Sequence, residues 1–193
     1  MRVILASASA IRRSMLENAG VEFGVVPSSI DESAEKARNR ESEQLAKALA
    51  EAKAVAVSAA QGGALVIGSD SVAAADGRLF DKPADRDEAA AHLRFFSGKT
   101  LELTSAVALA CDGRVDWSHV ETARLDVRTL SEGFIQSYLD AEWPEVGYCV
   151  GVFRLEGRGV QLFDRIDGSF FTILGMPLLP LLGALRKRGL LGQ

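Results

Sequence analysis

Ala64 to Gly68 is a run of five residues without a charge, delivered straight into Ser69 and Asp70. So short and apolar a run reads as a buried strand, and the carboxylate that follows must sit at the sheet's exposed end or be costly to hold. This pairing of buried strand and terminal carboxylate constrains the chain more than any other feature. The segment ending at Asp70 predicts a strand, and Ser71 to Ala75 with the Asp76-Gly77 pair predicts another running into a tight turn.

Helical patterns alternate with such strands. Arg2 to Ala6 reads as a short buried strand that passes through Ser7 and Ser9 into a helix marked by Ile11, Met15, Leu16 and Ala19 and closed by Gly20, with Ser9 as its N-cap. A second helix is predicted from about Ser42 to Ala59, where Leu45, Leu49, Ala52 and Ala56 share a face and Lys53 lies near its apolar edge. Asp85 and Glu88 make a capping-box-like start for a third, which Ser97-Gly98 ends. Leu101 to Leu130 alternates like paired strands about Asp112-Gly113, Ser131 caps a helix carrying Ile135, Tyr138 and Leu139, and two short strands are predicted on either side of Gly157 to Gly159. The last helix sets Leu178, Leu181, Leu182 and Leu185 on one stripe and closes on Arg186 to Arg188. No repeat, linker or low-complexity tract interrupts the pattern, so the expectation is one mixed α/β unit over residues 1–193.

Composition narrows the partners. With 193 residues, 48% hydrophobic and a formal charge of −4, the chain has the statistics of an ordinary globular domain and no broad basic field, so no stable nucleic-acid complex is expected. Any phosphate must be met by a few placed cations. Cys111, Cys149, His92 and His119 match no zinc spacing and are read as reduced cysteines and surface histidines, with Cys149 in a core strand and none of the four catalytic. Only Val3 to Leu5 could serve as the core of a leader before Arg12 and Arg13, and the apolar stretch from Ile173 to Leu185 is broken by glycine and proline and falls short of the ~20 residues of a membrane span. A cytosolic protein with no membrane partner is expected.

The chemistry-bearing residues are few. A strand feeding Ser7-Ala8-Ser9 into a helix points backbone N–H groups outward, and Arg12 and Arg13 in its first turn are disfavoured there unless an anion joins them, which makes a phosphate site one reading and a capped helix with solvated arginines the other. Asp70 can hold Mg²⁺ or orient water, or simply end a strand. Lys82, extended before Pro83, can meet a phosphate. The loop pair Asp31-Glu32 can add a metal ligand or can be solvated.

In order along the chain stand Leu5-Ala6-Ser7-Ala8-Ser9-Ala10-Ile11-Arg12-Arg13, Ile30-Asp31-Glu32, Glu51-Ala52-Lys53-Ala54 and Ile67-Gly68-Ser69-Asp70-Ser71-Val72. Asp81-Lys82-Pro83, Ser97-Gly98-Lys99-Thr100, Gly151 to Gly157 and Gly168 through Leu178 follow. Together they resemble the Maf family of nucleotide pyrophosphatases from the first strand to the last helix. The resemblance implies an α/β fold like that of the inosine triphosphate pyrophosphatases, a two-lobed mixed sheet with flanking helices and a central nucleotide cleft, commonly as a homodimer. It implies hydrolysis of a nucleoside triphosphate to monophosphate and pyrophosphate with Mg²⁺ or Mn²⁺. Carried over, Asp70 is the essential acid/base carboxylate and a metal ligand, Glu32 its acidic companion near metal and phosphates, and Ser7, Arg12, Arg13, Lys53 and Lys82 the phosphate cradle, Lys82 also acting on the leaving group.

Departures from the family pattern bear on the base. Ile11 stands where the first of two paired arginines is usual, and Ser71 and Glu156 replace the Thr and late Gln that accompany thymidine and uridine triphosphates. The segment around Phe153 and Glu156 instead resembles the branch acting on 7-methylguanosine triphosphate, although that branch has tryptophan at the Ile11 position. A carboxylate at Glu156 suits the N1–H and N2–H₂ donors of a guanine edge, so Ile11, Ser71 and Glu156 are the expected specificity residues and a guanine-like or modified nucleotide the expected substrate. The alternatives are a thymidine or uridine triphosphate pyrophosphatase, an aspartate-nucleophile phosphatase, against which Val72 stands where a second aspartate is usual, and a non-catalytic nucleotide-binding regulator of cell division.

Overall fold

A computed structural model describes residues 1–38 and 41–192. The strands are β1 (Val3–Leu5), β2 (Gly24–Val25), β3 (Leu65–Ala75), β4 (Arg78–Phe80), β5 (Thr100–Cys111), β6 (Arg114–Val127) and β7 (Phe163–Asp167). The helices are α1 (Ala10–Asn18), α2 (Ser33–Arg38), α3 (Ser42–Ala60), α4 (Arg86–Phe96), α5 (Glu132–Glu142), α6 (Phe170–Ile173) and α7 (Leu178–Lys187), with short 3₁₀ turns at Glu145–Tyr148 and Arg158–Leu162. The architecture is mixed α/β. Its seven strands run in the order β2-β1-β3-β5-β6-β7, with β4 paired to β3 off that path. β1 lies parallel to β2 and β3, whereas β3–β4 and β6–β7 are antiparallel.

Two compact units divide the chain. The first comprises Met1–Ser71, Thr104–Glu121 and Ser169–Gln193. Its core packs Leu5, Leu16, Ile67, Leu109, Met176 and Leu181, all at most 1% exposed; each such burial stabilises the fold by ~1.5–3 kcal/mol. The second comprises Val72–Leu103 and Thr122–Gly168. There Phe80 meets Phe96 edge-on at 4.7 Å and Phe153 meets Phe163 at 4.8 Å, an arrangement that adds quadrupole attraction to burial.

Local chemistry sets the ends of the elements. Asp85 accepts the Glu88 N–H at 2.8 Å and Ser131 the Phe134 N–H at 3.2 Å, so both expected caps form. Ser9 occupies the N-cap of α1, yet its hydroxyl makes no capping bond. Asp76-Gly77 and Asp112-Gly113 all have positive φ, which is the backbone a two-residue hairpin needs.

Four expectations require correction. Asp70 does not end a strand, because β3 continues through Ser69, Asp70 and Ser71 to Ala75, and each of these polar side chains finds a partner within the fold. His92 is not a surface residue but 7% exposed, packed edge-on to Phe80, and burial first of all holds its imidazole below its usual pKa. Cys149 follows a 3₁₀ turn instead of lying in a strand. Only β7 flanks Gly157 to Gly159, since Gly151–Gly157 forms irregular turns held by side chains. The short α2 carries no apolar stripe that sequence pattern could detect, because half of its six residues are charged and it buries nothing. Among the described residues no helix is long and apolar enough to cross a membrane.

Candidate active site

Gly68 fixes the geometry of the first unit's polar centre. A Cβ at that position would lie 2.2 Å from the Ala50 carbonyl oxygen and 2.8 Å from the Ala54 methyl, so α3 rests directly on the backbone of β3. Side chains alternate along a strand, which sends Asp70 to the same face as Gly68. Lys53, between Ala50 and Ala54 on α3, is thereby brought over Asp70, and its ammonium ion-pairs with Asp70 Oδ1. The same Nζ meets Glu32 Oε1 at 2.7 Å, while Lys36 Nζ stands 3.8 Å from Glu32 Oε2. Asp31 accepts both the N–H and the hydroxyl of Ser33, at 2.9 and 2.6 Å, fixing the turn into α2 beside Glu32. One ammonium thus separates two carboxylates that would otherwise repel.

The opposite face of β3 receives Arg12. Its Nε donates to Gly175 O at 2.9 Å, Nη1 to Ser69 O at 2.9 Å and Nη2 to Ser71 Oγ at 3.0 Å. Burial is the largest influence on this guanidinium and lowers its pKa, against which Asp70 and Glu32 raise it. Gly175 has φ +107, and a Cβ there would stand 3.1 Å from Ser71 Oγ and 3.6 Å from Arg12 Nε, so glycine lets its carbonyl approach both. That carbonyl also receives Ser69 Oγ at 3.0 Å. Because Ser105 Oγ gives its one proton to Thr172 O at 2.8 Å, the 2.9 Å contact between the two hydroxyls is donated by Ser71, whose oxygen accepts from Arg12.

The remaining sequence candidates of this unit are placed differently. Ser7 Oγ accepts the Ser9 N–H at 3.2 Å and so shapes the turn into α1. Ile11 is half-buried on the first turn of α1. Arg13 turns along the exposed helix surface to Glu17 at 2.7 Å and takes no part in the ion-paired centre.

Lys82 and Glu156 belong to the second unit. Both are exposed, and both act on the Cys149 thiol, which is pushed up to about 11, by burial first, then by Glu156, with Lys82 opposing. Arg154 there donates to buried Glu142 at 2.9 Å, a pair that sequence pattern did not single out.

Among the described residues no cluster of three or more His, Cys, Asp or Glu could enclose a metal ion. Asp70 and Glu32 nevertheless converge on one cation, and two carboxylates completed by water and substrate phosphates are the usual surroundings of Mg²⁺. The donor set fits an ion of that kind and no dedicated protein cage.

A family model described as Maf-like protein matches residues 2–188. The chain is 46% identical over 191 residues to the 7-methyl-GTP pyrophosphatase of Brucella suis biovar 1 (strain 1330), covering 97% of this chain and 96% of that protein. It is 48% identical over 190 residues to the nucleoside triphosphate pyrophosphatase of Paramagnetospirillum magneticum (strain ATCC 700264 / AMB-1), covering 96% and 98%. A solved nucleoside-triphosphatase / dITP/XTP pyrophosphatase from Mycobacterium abscessus aligns over 100% of both chains at 18% identity with a TM-score of 0.49.

Proposed function

The chain belongs to the Maf family, and from that premise we propose that it is a nucleoside triphosphate pyrophosphatase, releasing pyrophosphate and a nucleoside monophosphate. The observation that carries the reading is Lys53 held between Asp70 and Glu32 with Arg12 bearing on both acids. Two carboxylates gathered on one ammonium serve water activation beside a polyphosphate better than they serve stability, because a charge as far from solvent as that of Asp70 is costly to hold.

Asp70 is the general base in this mechanism. Lys53 engages its Oδ1, which fixes the carboxylate and leaves the second oxygen to take a proton from water. The water oxygen bonds to the α-phosphorus as the bond to the bridging oxygen breaks, and pyrophosphate departs with the electron pair. Lys53 and Arg12 lend positive charge where the phosphates gain negative charge, and their held positions require little reorganisation. Asp70 and Glu32 would hold a divalent cation, which when bound shares the charge of the phosphates. Family likeness assigns Lys82 to the leaving pyrophosphate and Glu156 to the base. It also carries the expectation of a homodimer, and composition that of a cytosolic protein.

The relatives named for 7-methyl-GTP, together with a carboxylate at Glu156, favour a guanine-like or methylated base. Pyrophosphate release across a nucleotide panel that includes methylated bases, run with Mg²⁺ and with Mn²⁺, tests the reading. Highest kcat/KM on 7-methyl-GTP is expected. Release of inorganic phosphate in place of pyrophosphate would rule out the proposed bond cleavage, and faster turnover of UTP or dTTP would overturn the base assignment.

A further inference from the structure

Val152 adopts φ +57 although it is β-branched and fully buried, a conformation that persists only where neighbours impose it. Two neighbours do so. The Val152 N–H donates to Cys149 O at 3.0 Å, and its carbonyl accepts the Tyr138 hydroxyl at 3.1 Å. One helical turn further along α5 from Tyr138, on the same buried face, Glu142 is 6% exposed and receives Arg154 Nη2 at 2.9 Å and Nε at 3.3 Å. The turn that follows is tight: the Gly157 N–H reaches Arg154 O at 3.2 Å, and a Cβ on Gly159 would stand 2.5 Å from that oxygen. A strained residue and a buried charge pair therefore aim the short segment that ends in Glu156.

Arg154 has more than one acid within reach of its field. The Glu142 hydrogen bond is the largest influence raising its pKa, and Glu156 and Glu145 add to it. Its hydrogen bonds go to Glu142 alone among these acids, while Glu156, two residues away, has no ion-pair or hydrogen-bond partner among the described residues. An acid as deeply buried as Glu142 is costly to keep, and removing its charge would release a guanidinium beside an unpaired carboxylate.

We infer that Glu142 is a positioning residue for nucleobase choice, holding Arg154 so that the Glu156 carboxylate stays available to a base edge instead of being closed in an ion pair. This rests on the proposed reading of Glu156 as the residue facing the base. Without Glu142, Arg154 swings to Glu156, and a donor-bearing purine edge loses its acceptor while a pyrimidine carbonyl no longer meets a bare carboxylate.

The test is the ratio of kcat/KM for 7-methyl-GTP to that for UTP in the full-length protein. Wild type is compared with Glu156→Gln, Glu142→Gln and the charge-balanced pair Glu142→Gln with Arg154→Gln. Glu156→Gln is expected to lower the ratio by about tenfold or more, Glu142→Gln to lower it similarly, and the pair to restore it to within about threefold of wild type. Restoration distinguishes positioning from mere support, because a second substitution in a purely structural contact would not repair specificity. An unchanged ratio in Glu142→Gln, or a ratio left low in the pair, overturns the inference. Should Glu142→Gln not fold, Glu142→Asp takes its place: a lowered ratio that Arg154→Gln restores in the same background supports the inference, and an unchanged ratio or one left low overturns it. An unchanged ratio in Glu156→Gln removes the base reading itself and this inference with it.

Discussion

At the scale of single residues, Asp70 and Lys53 depend on each other. Each side chain is 13% exposed, so neither charge is well hydrated and each is the other's nearest compensation. Asp70→Asn keeps the volume and a hydrogen-bonding oxygen for Lys53 but removes the basic carboxylate. It is expected to lower turnover by ~10²–10⁴ while circular dichroism and urea unfolding show a folded protein. Activity above about a tenth of wild type would lie outside that window and exclude Asp70 as the base. The sequence made this residue legible, because an acid that follows an uncharged apolar run needs a reason. Arg12 was legible as a misplaced cation at a helix start, but its partners were not. Ser69, Ser71 and Gly175 lie 57, 59 and 163 positions away, and no local pattern encodes contacts of that separation. Nor could the pattern separate Arg13, which turns to Glu17, from Arg12, which turns inward.

Elements carry the next level of argument, because Lys53 reaches Asp70 only if α3 lies flat on β3. Gly68→Ala puts a methyl where the Ala50 carbonyl oxygen would be 2.2 Å away, and backbone cannot yield as a flexible side chain can. The helix must lift, at a cost of ~1–3 kcal/mol or more, and activity should fall with stability because the ion pair parts. A lower urea midpoint together with lost turnover is expected; wild-type stability would mean that α3 is not seated there. The segment after α5 yields a pH dependence. Burial favours the neutral Cys149 thiol, whose pKa rises from 9.0 to about 11, and moves the Tyr138 hydroxyl in the same direction. A group raised in the folded state contributes stability that is fully present below its unfolded pKa and is lost as pH rises through its folded one. The urea midpoint should therefore fall between pH 9 and about 11, and Cys149→Ala should flatten that fall. An identical alkaline slope in the variant would deny the thiol this part. Periodicity located α3, α4, α5 and α7 well, since each shows an apolar stripe. It failed for the segment before β7, where Tyr138, Glu142 and a positive-φ valine hold the chain in place of a repeating pattern.

On the scale of the whole molecule, the formal charge of −4 leaves phosphate recognition to individually placed cations, and most of those in view already have protein partners. Lys53 is shared by two acids, Arg12 is held by β3 and Gly175, and Arg154 is held by Glu142. Lys82 is different: it is exposed in the loop before buried Pro83 and makes no ion pair or hydrogen bond among the described residues. Its candidacy was readable only as one member of a motif series, because a lone surface lysine carries no signal of its own. An exposed, unpaired lysine adds little to folding, so Lys82→Ala should leave the unfolding free energy within the change expected of a surface substitution, about 0.5 kcal/mol. A lysine that meets the leaving pyrophosphate would instead lose a charge-assisted contact of ~1.5–3 kcal/mol, which is a loss of about ten- to hundredfold in kcat/KM. Free pyrophosphate should inhibit the variant more weakly by a comparable factor, because product and leaving group present the same oxygens. Lys82→Arg, which keeps the charge but changes its shape, should fall between the two. Full activity in Lys82→Ala, with pyrophosphate inhibition unchanged, would remove Lys82 from the phosphate site and leave the chemistry to the cations gathered around β3.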